Sequence, residues 1–296
     1  ERTQGIGDII DATPVANMVL WLSKLMAVGA AMLLMYFAFT LTTISYQLIK
    51  GFDDLDLLQY LIRLGYFNFL PFMLTVVLAF LIQVLSPNKY VGMGVFVVYF
   101  ILTQVLDAWG FNHRMWHFAA SPAAPFSDLN RFGWTLESHS WYMLYWGGLT
   151  AILFVLGFGM FQRGPAQSLA VRYQQLRYQV GAGGQTVILL GSLVFVSTGG
   201  WIYYNTRVLN QYDTTEQQMD LQADYEKAYK AGADDPILVA TKVEAFVDIY
   251  PVERRVEARV EQTLTNKFNK PVTKMLVNWP KYTRSMEIIA PGATPS

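Results

Sequence analysis

The residues best equipped for chemistry cluster in one stretch. His113 and His117 are four apart, so on a helix they would share a face, and Asp128, Glu137 and His139 follow in the same segment. Imidazole nitrogens and carboxylates together are the donor set of a zinc or other divalent site. The chain has no cysteine, however, and no orienting partner for the rings is evident. The plainer reading is a solvated external loop that carries all three histidines, and it is the one expected here. A zincin centre would need His-Glu-x-x-His on a helix, and no such string occurs. Ser127 and Asp128 adjoin, but no nucleophile elbow or matched histidine makes them a triad. No Gly-rich loop ending in Lys-Ser or Lys-Thr occurs, so a phosphate-binding loop for ATP is not expected. Catalytic residues, cofactors and metals are therefore expected to be none in this chain, with His113, His117 and His139 as the weak metal candidates.

The elements that carry these residues are membrane elements. The chain is 53% hydrophobic and 15% charged, against roughly 25% charged for an average soluble domain. Its formal net charge is zero, and no basic stripe interleaves with stacking aromatics, which argues against nucleic acid as a partner. Five apolar runs free of acidic residues in their interiors, at 25–44, 66–85, 90–106, 141–161 and 185–204, are each long enough to be read as spans. Residues 50–63 mix Asp53, Asp54 and Asp56 with leucines too closely for a span and are expected to rest at the interface. Pro71 is tolerated in the second span because neighbours can satisfy the carbonyl it frees. Asp107 is read as a carboxylate at the end of the third span, in reach of water. Asn68 and Gln104 could line a path or bond between helices. Gly157 and Gly159 would let another helix approach the fourth span closely.

Orientation follows from residues 161–185, where Arg163, Arg172 and Arg177 occur without an acidic residue. Short loops rich in Lys and Arg stay in the cytoplasm, so an odd number of spans leaves the N-terminus inside and the C-terminal region outside. Residues 1–17 carry Ile6, Ile9 and Ile10 on one helical face with Asp8 and Asp11 off it, up to Pro14, as an amphipathic helix on the membrane surface. After Tyr204, Asp213 with Glu216 three positions on predicts a helix running to about Ala231, with a Glu226–Lys230 pair on it. Residues 205–240 form this helical linker. Period-two alternation at Val243, Ala245, Val247 and Ile249, again at Val256, Ala258 and Val260, and a third run at 272–279, predict an antiparallel meander over 241–296. Arg254 and Arg255 sit in its first turn. The fold class expected is a mainly α-helical polytopic membrane protein followed by a helix and the first strands of an antiparallel β domain.

Two stretches carry a family resemblance. Residues 1–16, with Gly5, Asp8, Ile9, Ile10, Pro14 and Val15 and then Lys24 before a span, resemble the segment of type-2 ABC exporter permeases that follows their first membrane helix. In that family the segment is a coupling helix docked on a cytosolic ATPase. Residues 201–212, 223–227 and 247–257, together with Phe126-Ser-Asp-Leu-Asn-Arg-Phe-Gly133, are similar to bacterial proteins that fuse such a permease to a zinc aminopeptidase of the aminopeptidase N type. Within that loop motif Arg131 stands in place of a glycine, and Trp134 after it in place of a histidine. The resemblance implies an internal fragment of a longer protein in the bacterial cytoplasmic membrane. It implies ATP on a separate ATPase subunit, zinc only downstream, membrane lipids around the helices, and a second permease half or copy as partner. Its alternative is a membrane anchor for an outside aminopeptidase, without transport.

Overall fold

The computed structural model describes residues 12–163, 168–210, 212–232, 237–253, 255–268, 270–272, 275, 277–278 and 283–289. They fall into two compact units, one extending to Met219 and one beginning at Asp220.

The first unit contains five helices long and apolar enough to cross a membrane: α1 (Asn17–Ile49), α2 (Leu57–Leu85), α3 (Lys89–Ala108), α4 (Thr135–Met160) and α5 (Leu169–Val208). Each exceeds the expected run, since charged and polar residues at the ends of the apolar stretches continue the helix beyond the hydrocarbon. The change is largest in α2. Residues 57–63, expected at the interface, are its first turns, and only 50–56 remain non-helical. Residues 169–185, expected as an arginine-rich loop, are also helical. Gly181, at φ 60° and ψ −172°, breaks α5 there, a conformation open to a residue without Cβ. Residues 169–180 thus form an elbow that meets the span at an angle.

α4 is the centre of the bundle. Half of its apolar window is buried, against a small fraction in the other four helices, and it packs along α5 most extensively and along α2 next. Two apolar clusters result. At the loop end, Leu74, Tyr142, Met143, Tyr145, Trp146 and Ile202 pack with Ala119 from the connecting loop. At the other end, Trp21 and Leu25 of α1 pack on Val76 and Val77. Trp21 is 1% exposed and its ring lies against Gly157, where an added Cβ would stand 2.9 Å from it. Gly159 is covered in the same way by Leu176 and Val180 of the elbow, so both glycines admit close neighbours.

The second unit holds a two-stranded antiparallel sheet, β1 (Val239–Tyr250) and β2 (Arg255–Thr265), with Ala245 opposite Val260, Val247 opposite Ala258 and Ile249 opposite Val256. These pairs put the small and branched apolar side chains on one face. Among the described residues of the expected third strand, Val272, Met275, Val277 and Asn278 are not in a strand. The helix before the sheet, α6, spans Thr215–Tyr229. Its capping box lies one residue later than expected: Gln217 N–H donates to Thr214 Oγ1 (3.3 Å) and Thr214 N–H to Gln217 Oε1 (2.9 Å). The expected Glu226–Lys230 pair gives way to Lys227 with Asp224, 3.5 Å apart.

Candidate functional site

Residues 109–134 join α3 to α4 and return over the ends of the bundle. α3 stops because Gly110 takes φ +83°, which lets Phe111 N–H reach back to the Leu106 carbonyl and ends the helix in a left-handed cap. The chain then makes a single 3₁₀ turn, Arg114–Trp116. His113 and His117 bracket that turn instead of sharing a helix face. Far from being solvated, His113 and His117 are each 7% exposed and His139 is 1% exposed.

Each ring has its own partners. His113 Nδ1 accepts the Met115 N–H at 3.3 Å and caps the 3₁₀ turn, with its ring edge-on to Tyr212. His117 Nε2 is 3.0 Å from the Phe111 carbonyl and 3.2 Å from Asp107 Oδ1. Since both partners only accept, this nitrogen carries the proton. Asp107 is therefore tied to the loop at the end of α3. His139 lies on α4, with Nε2 3.0 Å from the Tyr66 carbonyl and Nδ1 2.8 Å from Ser121 Oγ. No three His, Asp or Glu side chains converge as a metal cluster among the described residues. The Ser127–Asp128 segment is an exposed hairpin closed by Ser127–Arg131 backbone bonds, and Arg131 pairs with Asp56 at 2.9 Å.

The His139 contact has a cause in α2. Over Ile62–Phe69 the helix widens to the π pattern, and Leu70 N–H bonds to Gly65. The next residue, Pro71, has no N–H to give to Tyr66. The Tyr66 carbonyl thus lacks a donor from its own helix, and His139 supplies one from α4. Arg63 Nη1 donates to the Ala124 carbonyl at 2.9 Å, and Tyr66 Oη lies 2.6 Å from Ser140 Oγ. Three side-chain contacts therefore hold the π segment to the loop and α4. Asn68 is half-buried in that segment, while Gln104 is exposed on α3. Neither bonds to another helix among the described residues.

The opposite end is organised by arginines. Arg163, just past α4, donates Nη1 to the Val15 carbonyl (2.5 Å) and Nη2 to the Thr13 carbonyl (2.6 Å), clamping the chain ahead of α1. Arg172 is 9% exposed and donates Nη1 to the carbonyls of Val84 (2.7 Å) and Met160 (3.3 Å). Those carbonyls belong to the last turns of α2 and α4, where a cation also meets the negative ends of the helix dipoles. Of the residues expected to couple to an ATPase, Pro14 and Val15 lie in the clamped stretch, whereas Gly5, Asp8, Ile9 and Ile10 lie outside the described residues. The guanidinium clamp was not foreseen, although three arginines without acids were its visible trace.

Burial, and secondarily the Arg207 charge, hold the His113 imidazole below its ordinary pKa. Unfolding therefore takes up a proton below about pH 6.5, the unperturbed value. The contribution of neutral His113 is full above that pH and declines as pH falls from there through the folded-state value. Thermal unfolding in detergent between pH 7.5 and 5 should show this loss in the native chain, and a smaller one in His113→Gln. Equal slopes would refute it.

Fold and sites together define the chain as a polytopic helical membrane protein with a folded loop at one end and an arginine cluster at the other. No family model, curated protein or solved structure matches it.

Proposed function

We propose that this chain is the membrane permease portion of an ABC-type export system, driven by a separate cytosolic ATPase through the segment containing Gly5, Asp8, Ile9, Ile10, Pro14 and Val15. The observation that carries the reading is the Arg163 clamp. It joins the backbone at residues 13 and 15 to the end of α4, the helix on which α1, α2 and α5 all pack. A push on the N-terminal segment would thus reach the centre of the bundle directly. To do work, the ATPase must bind this segment better in one state of the spans than in the other. In this reading the β1–β2 hairpin opens an aminopeptidase-like region across the membrane, and a second permease half or copy completes the path.

The orientation is supported by charge. Lys24, Lys89, Arg163, Arg172 and Arg177 gather at one end, with no acidic residue in 12–24, 80–92 or 154–177. Lys50, Arg63, Arg114, Arg131 and Arg207 at the loop end are accompanied by Asp53, Asp54, Asp56, Asp107, Asp128, Glu137, Asp213 and Glu216. The end where these cations have no acidic residue in the adjoining stretches is placed in the cytoplasm. A periplasm-dependent reporter fused after Asn210 should be active, and a cytoplasm-dependent one silent; the reverse pattern would overturn this orientation.

Deleting residues 5–14 should abolish co-purification of a cytosolic ATPase, whereas Arg163→Ala should leave the ATPase bound and weaken its coupling. Two charge-assisted bonds of about 1.5–3 kcal/mol each are lost, so transport per ATP hydrolysed should drop about tenfold or more. An ATPase retained after the deletion would sink the permease reading and leave the helices as an anchor.

A further inference from the structure

α3 leans on α2 but has little contact with α4, and the space left beside it is a crevice of about 590 Å³ open to the side. Tyr99, Leu102, Thr103 and Leu106 of α3 form one wall, and Trp146, Leu149 and Leu153 of α4 the other, with Leu78 of α2 also in the lining. Trp109 and Trp116 of the loop also line it. From Tyr99 to Leu106 the helical wall is about 10 Å long at ~1.5 Å per residue. It lies wholly within a span and runs toward the loop end.

An apolar surface facing lipid gains nothing hydrophobic from one acyl chain over the next. A particular lipid is retained only if rigid walls contact it on several sides and its headgroup finds fixed donors. The crevice supplies the walls, and its loop end carries side chains able to donate. Trp109 and Trp116 are 67% and 60% exposed, and neither indole N–H has a hydrogen-bond partner among the described residues. Arg114, two residues before Trp116 in the same 3₁₀ turn, is exposed and makes no ion pair or hydrogen bond among the described residues. An apolar slot lined by two indoles, with an exposed arginine two residues before one of them in the same turn, complements an amphiphile with an anionic head.

We propose that this crevice is a binding site for a phospholipid of the leaflet on the loop side, with one acyl chain between α3 and α4 and the phosphate met by Arg114, Trp109 and Trp116. The inference does not depend on transport or on which end faces the cytoplasm. A lipid there would fill the gap between α3 and α4 and join the loop to both.

The test uses the full chain in nanodiscs of phosphatidylglycerol and phosphatidylcholine, followed by detergent extraction and native mass spectrometry. The native chain should retain one phosphatidylglycerol in preference to phosphatidylcholine. Leu102→Trp, which fills the slot, should lower retention of both about fivefold, and Arg114→Gln should remove the preference. A diazirine-bearing phosphatidylglycerol in the native chain provides a readout independent of any variant, and it should label residues 99–106 and 146–153 above the exposed face of α1. Labelling spread evenly over α1 and α3, or retention unchanged by Leu102→Trp, would overturn the site. Equal retention of both lipids by the native chain would overturn the headgroup assignment.

Discussion

Leucine at Gly148 or Gly191 is expected to force α4 and α5 apart and to destabilise the bundle by about 3 kcal/mol or more, the upper range for overpacking a close-packed interior. The two helices meet backbone to backbone. A Cβ on Gly148 would lie 2.8 Å from the Gly191 carbonyl oxygen and 2.8 Å from Phe195 N, and one on Gly191 would lie 2.8 Å from the Gly148 carbonyl oxygen. These contacts are main chain, so no rotamer change relieves them. Small residues at a crossing are how membrane helices gain packing that hydrophobicity cannot supply between them. The neighbouring Gly147 has nothing within 4 Å of its Cβ position, so Gly147→Leu serves as the control. Monodispersity and thermal unfolding in detergent should separate Gly148→Leu and Gly191→Leu from native and Gly147→Leu. If Gly148→Leu and Gly191→Leu behave like Gly147→Leu, the crossing is not where the structure has it.

Replacing His139 by leucine is expected to loosen the loop from the π segment at a cost of about 3 kcal/mol. The Tyr66 carbonyl and Ser121 hydroxyl both lose a partner, and an unsatisfied buried polar group costs about 1–3 kcal/mol. If the loop opens locally, trypsin cleavage after Arg114 and Arg131 should accelerate by about a hundredfold, the equivalent of roughly 2.7 kcal/mol. His139→Gln keeps both a donor and an acceptor and should recover part of the loss. Pro71→Ala offers a sharper test, because it returns an N–H that can reach Tyr66 from within α2. The cost of His139→Leu should therefore be smaller in a Pro71→Ala background, a coupling that a double-mutant cycle measures. Additive effects would show that the carbonyl freed by the proline is not what His139 serves.

Much of the membrane unit was legible in the chain, because spans announce themselves by a local property: about twenty apolar residues must satisfy their backbone groups internally. The same locality explains the misplaced ends. Leu57, Leu58 and Leu61 continue α2 although Asp53, Asp54 and Asp56 precede them, and Arg172 and Arg177 sit on helical turns although their charge suggested a loop. Local composition cannot tell a polar helix end from a polar connection. Period-two alternation was equally clear for β1 and β2, where apolar positions pair across the strands. It did not suffice over 272–279, where the described residues are not in a strand.

The histidines show the other limit. Their spacing suggested a shared face or a wet loop, yet His113, His117 and His139 are buried and separately bonded. That outcome depends on the loop folding back over α2, α4 and α5, through contacts between residues as distant in sequence as Tyr66 and His139. Arg163 and Val15, or Gly148 and Gly191, are likewise invisible as pairs to any window along the chain.

By itself, then, the sequence determined a polytopic membrane protein with a polar region after its last span, because solvent preference is written residue by residue. Only the tertiary structure decided that α4 is the bundle's centre, that a proline in α2 is answered by a histidine in α4, and that an arginine clamps the N-terminal segment. Each of these depends on which backbone groups and side chains long-range packing brings within hydrogen-bond or van der Waals distance, and spacing along one chain does not encode that distance.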